Sequence, residues 1–537
     1  MTDPVPYLSP WKRGGRDEAW NRLSGDWDLI VVGGGVTGAG ILAMASRMGL
    51  KVLLLERGDF ASGTSGRSSK LVHGGLRYLK RMELKLARGS VQERQYLLRT
   101  APGLVEPLGF VYPVYKGEPI GPWLVEMGLG IYTHLAKDAG DYRKLEAVDI
   151  VMLAPGLLRE GLLRGYYYRD AQTDDTRLVF KVIQDALASS EGRCLAIHYA
   201  RVVDFLKDDG KVTGVRVRDE FKGQETQCRG RLVINATGVW ADGLRAKLGR
   251  KSRLRPLRGS HLYFDANRFP VYQAIAFGHP DDDRPVFAYP WQGVTLVGTT
   301  DLDHPSSVEE EPRIQMAEVN YLLHGIQTRF PDLALKTRDI LSVQSGLRPV
   351  IDTGKDNPSE ESRDDAVWEE EGLLTVTGGK LTTFRLVAAD ALLEAHRLHR
   401  DFPAPSWDTE VVARTPSLSD IGERIEEKQR RRIAGRYGEA ASSLLQSFPG
   451  RLRPIPKTPY LEAEILWSAE NESVLHLDDL LLRRFRLGIL LGDGGVSLVD
   501  RMKEDLKRAL DWDETRWNEE LDRYREIRRR CHELEGA

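Results

Sequence analysis

DLIVVGGGVTGAGILAMASRMGLKVLLLE (28–56) is the stretch on which the fold turns. DLIVV (28–32) is a short apolar run suited to a buried strand, GGGVTGAGILAMASRMG (33–49) a glycine turn opening a helix, and KVLLLE (51–56) a second strand. Together they predict a βαβ unit. Gly33, Gly35 and Gly38 form GxGxxG directly after the first strand, and Glu56 closes the second strand 23 residues after Gly33. Gly33 permits the tight turn and Gly35 lets backbone N–H groups approach a pyrophosphate at the helix N-terminus. Gly38 lets helix and strand pack closely, and Glu56 is placed to bind ribose hydroxyls. The unit is therefore read as a dinucleotide site.

Three further segments favour FAD over NAD. ERGDFASGTSGRSSKLVHGG (56–75) is too rich in Ser, Thr and Gly for an ordinary helix and suits an extended run along phosphate and flavin, offering Arg57, Thr64, Ser65, Ser68, Ser69, His73 and Gly74. The strand RLVINATG (231–238) would bring Ala236, Thr237 and Gly238 against the dinucleotide, while Val202 in the preceding sheet offers backbone to adenine. TGGK (377–380) opens a helix whose first residues, Gly379, Lys380, Leu381 and Thr382, would face the electron-accepting edge of the flavin.

Working outward, 537 residues are about three and a half times the roughly 150-residue domain prior, so two or three domains are expected. The predicted class is α/β: a Rossmann-like FAD-binding domain, an inserted antiparallel β-sheet substrate domain and a C-terminal α-helical cap. The expected boundaries are an N-terminal arm (1–26), a discontinuous FAD domain (27–100, 165–258, 340–400), a substrate or membrane-facing domain (101–164, 259–339) and the cap (410–537). Segments SHLYFD (260–265), PVFAYP (285–290) and VTLVGTTD (294–301) alternate as an antiparallel sheet would. Lys+Arg 77 against Asp+Glu 79 leaves a charge of -2 and no global field for nucleic acid. Three separated cysteines without a CxxC argue against a zinc ribbon, an iron-sulfur site or a dithiol centre, and no metal site is expected. The chain lacks an apolar run of 18 residues or a secretory h-region, and reads as cytosolic.

The stretches VGGGVTGAGI (32–41), SSKLVHGGLRYL (68–79), RPLRGSHL (255–262), VGTTD (297–301), SGLRP (345–349), GGKLTTFR (378–385) and LLRRFRLGI (481–489) resemble the FAD-dependent glycerol-3-phosphate dehydrogenases of the aerobic, quinone-linked type. The resemblance implies oxidation of sn-glycerol 3-phosphate to dihydroxyacetone phosphate by hydride transfer from C2 to flavin N5, with electrons passed to a membrane quinone. It implies that Arg77, Tyr78 and Lys380 hold the phosphate, with Arg363 a further candidate, and that Arg348 stands near the reacting oxygen. Arginine forks with a lysine point charge suit a phosphate monoester on chemical grounds as well. His261, in the RGSH turn, would accept the hydroxyl proton, and His73 belongs to the flavin environment. Two departures stand out: Met44 and Met48 replace an Asp and an Arg on one helical face, and Phe384 replaces a Tyr. GPWLVEMGLGIYTHLAKD (121–138) could lie on a lipid surface, which would make the protein peripheral on the inner face of the cytoplasmic membrane, and a homodimer is a candidate assembly. The competing readings are an oxidase passing electrons to oxygen, a flavin amine oxidase and a non-catalytic FAD-binding subunit.

Overall fold

The computed structural model describes residues 11–74, 84–117, 125–126, 128–131, 142–356, 361, 365–421 and 425–534. The βαβ unit forms as its sequence dictates: β1 (Asp26–Val32), α1 (Val36–Arg47) and β2 (Val52–Leu55). Leu29 to Val31 and Val52 to Leu55 are fully buried because both faces of the sheet are covered: Leu29, Val31, Val52 and Leu54 share a core with helix residues such as Ile41 and Val179, and Ile30, Leu53 and Leu55 one with Val202, Phe205 and Val215 of the strands Ala200–Asp208 and Lys211–Asp219. That sheet runs Ala366–Glu370, Leu373–Thr377, Glu225–Asn235, β1, β2, Leu195–Ile197; its pairs are parallel except at the Ala366–Glu370 edge and where Lys211–Asp219 joins Glu225–Asn235 and Ala200–Asp208 joins Lys211–Asp219, both antiparallel. Met44 is wholly buried and Met48 packs at the edge of the same core, so both methionines join apolar packing. Phe384, at the start of the helix Phe384–Leu398, lies against Gly40 of α1 and is likewise buried.

The second sheet has ten strands, antiparallel except where Val105–Tyr115 meets Ala274–Gly278. The alternating segments expected here appear as Leu254–Asp265, Pro285–Trp291 and Val294–Gly298. Two expected boundaries are corrected. Ile340–Ile351, expected in the FAD domain, pairs along its length with Leu254–Asp265 in the second sheet. Residues 165–173 likewise belong to the strand Leu162–Thr173, paired with Val105–Tyr115. Both strands are buried on both faces over much of their length, so their pattern carries no label for the sheet they join. The N-terminal arm also holds more structure than expected: a short helix, Arg16–Asn21, and Trp11, which stacks on Phe60 and donates from Nε1 to the Ala196 carbonyl (3.1 Å).

The C-terminal helices close over both sheets through a seam of buried charge. Asp174, at the head of the helix Asp175–Ser189, accepts from Arg436 (2.8 Å) and Arg486 (3.3 Å), while Arg177 pairs with Glu472 (2.7 Å) and Arg484 with Asp59 (2.5 Å). Burial alone would raise Glu472, but Arg177, Ser468 and Arg484 together outweigh it and hold the carboxyl down to about 2. Two histidines share the seam: His198 Nε2 donates to the Ser473 carbonyl (2.7 Å) and His532 Nδ1 to the Val343 carbonyl (3.0 Å). Burial pushes each down to about 4.

A histidine held neutral by folding contributes stability above its unfolded pKa of about 6.5, and that contribution is lost as pH falls towards the folded value. The depressed Glu472 acts in the same direction lower down, between its unfolded value near 4.3 and about 2. Acidification from pH 6.5 to 4 is therefore expected to loosen this seam, with each histidine contributing up to roughly 3 kcal/mol. Hydrogen exchange across residues 430–534 at the two pH values measures it.

Candidate active site

A cavity of about 1080 Å³ opens at the carboxyl ends of the parallel strands, at the upper end of the roughly 300–1,000 Å³ usual for ligand sites. The glycine turn forms its floor. Gly33 has φ +116°, and a β-carbon there would overlap the Ala236 carbonyl; one at Gly38 would overlap the carbonyl of Gly33. Gly38 therefore sets the approach of helix to strand instead of touching the cavity, the packing role its place in the motif implies. Gly35 starts α1 in an extended conformation, and Ser65 Oγ accepts the Val36 N–H (2.8 Å) at the helix N-terminus, where an anion is favoured. Glu56 Oε2 accepts from the Gly34 N–H (2.7 Å) and Oε1 from the Gly58 N–H (2.8 Å). Burial raises the Glu56 carboxyl against those two amides.

Arg57 stacks over Trp240 (4.4 Å) and pairs with Glu309 (2.7 Å), while Thr64 Oγ1 donates to the Leu347 carbonyl (2.5 Å). Val202, Ala236, Thr237 and Gly238 line the cavity, as do Gly379, Lys380 and Leu381, where the two left-handed glycines 378 and 379 turn the chain. A long groove with a helix N-terminus, a buried carboxylate and β-carbon-free backbone fits a dinucleotide such as FAD. Glu56→Ala leaves two amides without their acceptor. At about 1.5–3 kcal/mol for hydrogen bonds to a charged group, FAD affinity should fall roughly 10- to 100-fold, measured by fluorescence titration of the apoprotein.

Of the remaining expected cofactor residues Ser68 lines the cavity, whereas Ser69, His73, Gly74 and Thr382 do not. Ser68 gives both its N–H (3.0 Å) and its hydroxyl (2.7 Å) to Asp175, and the His73 N–H reaches Thr382 Oγ1 (3.2 Å). The Gly74 N–H donates to Asp170 (3.2 Å), and Ser69 Oγ lies 2.9 Å from His261 Nε2. His261 and Arg348 do not line the cavity. They share one face of the second sheet, where Leu257 stands opposite Arg348 and His261 opposite Gln344. His261 is 1% exposed; burial, then Lys70, then Arg348 hold its pKa well below the usual imidazole range, so the ring is neutral at physiological pH. Arg348 donates from Nη1 to Asp301 Oδ1 (2.8 Å) and the Thr300 carbonyl (3.2 Å), and from Nη2 to Thr299 Oγ1 (3.1 Å).

Arg77, Tyr78 and Arg363 lie outside the described residues, as does most of 121–138. The structure brings in residues the sequence reading passed over. Lys70 is fully buried between the two sheets, donating to Gln344 Oε1 (2.8 Å) and the Ser68 carbonyl (3.1 Å), and burial pushes its ammonium down to about 8. Asp301 orients Arg348, and Asp175 holds Ser68. Lys70 and Asp301 sit inside the quoted SSKLVHGG and VGTTD stretches, where a charge interrupting an apolar or small-residue run was the available signal.

Residues 28–389 match the family described as FAD dependent oxidoreductase, and residues 385–517 the C-terminal domain of alpha-glycerophosphate oxidase. The chain is 33% identical to an aerobic glycerol-3-phosphate dehydrogenase of Staphylococcus haemolyticus over 526 residues, 93% of this chain and 94% of that one. It is 34% identical to the Staphylococcus aureus (strain USA300) protein of the same name over 493 residues, 86% and 87% of the two chains. Among solved structures, glycerol-3-phosphate dehydrogenase from Bacillus halodurans complexed with FAD superposes with TM-score 0.77 at 26% identity, over 97% of this chain and 98% of that one. L-alpha-glycerophosphate oxidase from Mycoplasma pneumoniae shares the fold at TM-score 0.54 and 18% identity, over 69% and 94% of the chains. The buried glycine cradle and the match along nearly the whole chain agree: this chain is a member of the FAD-dependent oxidoreductases and, within them, of the aerobic glycerol-3-phosphate dehydrogenase family.

Proposed function

We propose that the protein oxidises the C2 alcohol of sn-glycerol 3-phosphate to the ketone of dihydroxyacetone phosphate and passes the electrons to a membrane quinone. The observation that carries this reading is the juxtaposition of a buried neutral imidazole, His261, with a fixed guanidinium, Arg348, on one sheet face behind the Ser68 wall of the dinucleotide cavity. When bound, FAD supplies the hydride acceptor at N5. His261 accepts the proton leaving the substrate's O2, and Arg348 stabilises the negative charge that develops on that oxygen. Lys380, in the cavity lining, carries a point charge for the phosphate, joined by Arg77, Tyr78 and Arg363.

The chain would sit peripherally on the inner membrane face through the 121–138 segment; no helix among the described residues is long and apolar enough to cross a bilayer. The residue division proposed is a discontinuous FAD domain, a sheet domain that includes 340–351, and the helical cap. Anaerobic titration of the purified holoprotein with glycerol 3-phosphate should bleach the flavin stoichiometrically, with reoxidation by a soluble quinone outpacing peroxide formation in air. Fast peroxide formation would favour the oxidase reading, and an unbleached flavin a binding subunit.

A further inference from the structure

Among the described residues, the imidazole of His261 is held along one edge only. Ser69 Oγ stands 2.9 Å from Nε2. Gly298, the cross-strand neighbour of His261, lies against the same edge: a β-carbon there would overlap Cδ2 and come within 2.9 Å of Nε2. Nδ1, on the other edge, is buried and has no hydrogen-bond partner among the described residues. Among the described residues the charges acting on the ring are both positive, Lys70 from the Ser68–Val72 segment and Arg348 from the neighbouring strand.

We propose that Ser69 is a positioning residue that accepts the Nε2–H of His261, fixing the Nε2-protonated tautomer and leaving the Nδ1 lone pair as the atom that takes the substrate's hydroxyl proton. The proposal rests on the reading of His261 as the base. Were Ser69 the donor, Nδ1 would carry a buried N–H without an acceptor, and orphaned buried N–H groups are rarer in proteins than under-used acceptors. In the step itself the O2–H bond breaks and Nδ1–H forms. The oxygen's electron pair becomes the second C–O bond, and the C2 hydride leaves with its two electrons for the flavin. The imidazolium so formed still donates from Nε2 to Ser69, whose neutral hydroxyl holds the ring in place without a carboxylate's pull on the proton. Lys70 and Arg348 favour its release.

The test combines a tautomer measurement with two variants of the FAD-loaded enzyme. Long-range proton–nitrogen NMR on protein labelled in histidine nitrogen, with His261 assigned by its disappearance in His261→Gln, should show Nε2 protonated and Nδ1 bare at pH 7.5. Ser69→Ala should lower the rate of flavin reduction about tenfold, with KM little changed, and shift the acidic limb of the kcat/KM profile. A His261 signal protonated at Nδ1 in the unmodified enzyme would overturn the proposal without recourse to any variant. So would Ser69→Ala with unchanged rate and pH profile. A His261→Gln enzyme that reduces its flavin at the normal rate would instead overturn the base assignment itself, which separates the two failures.

Discussion

Replacing His261 by alanine should slow flavin reduction by glycerol 3-phosphate about 10²- to 10⁴-fold, the usual worth of a positioned general base. FAD content should stay intact, because His261 lies outside the cavity wall. KM should move little, since the phosphate ligands are separate from the base. The pH profile gives a sharper signature. A free imidazole titrates near 6.5, but in this site burial and the charges of Lys70 and Arg348 hold the proton off, so the acidic limb of kcat/KM should fall below pH 6.5. His261→Ala should erase that limb while leaving limbs due to other groups. Stopped-flow reduction under anaerobic conditions, repeated across pH, measures both effects. An unchanged rate and profile would remove His261 from the mechanism.

The nucleotide half of this site was legible because its requirements fall on the backbone. Gly33 must adopt φ +116° and Gly38 must admit the Gly33 carbonyl, so each demand is written as a glycine at a fixed spacing beside an apolar strand. The chemical half is assembled across distance. Ser69 and His261 are separated by 192 residues, and Lys70 and Gln344 by 274, so no local period joins them. His261 and Arg348 were reached through the resemblance of RPLRGSHL and SGLRP, whereas their neighbours Lys70 and Asp301 needed the structure to show what they face. The same reason explains the misplaced strand. Ile340–Ile351 has a buried run from Ser342 to Leu347, and an unbroken run identifies a buried strand without naming its partner. Trp11 was missed differently, since a single aromatic in a Pro- and Gly-rich start has no period to announce that it stacks on Phe60.

Arg348 should prove irreplaceable by lysine. Its guanidinium is held as a fork, Nη1 on Asp301 and the Thr300 carbonyl and Nη2 on Thr299, and its plane lies over Gly259, where a β-carbon would overlap it. That arrangement fixes the direction of its charge before substrate arrives, which is what makes an oxyanion donor effective in a buried site. Arg348→Met should lower the rate of flavin reduction about 10²- to 10³-fold, the range for loss of one such donor. Arg348→Lys should recover little of it, because a flexible ammonium cannot keep both prongs and still face the oxygen. Asp301→Asn keeps the guanidinium but weakens its anchor, so an intermediate loss of rate is expected. Gly259→Ala should reproduce the Arg348 defect without touching the charge, since the added methyl must displace the guanidinium. If Arg348→Met lost rate while Gly259→Ala and Asp301→Asn did not, charge alone would account for the role of Arg348 and its preorganisation would be discarded.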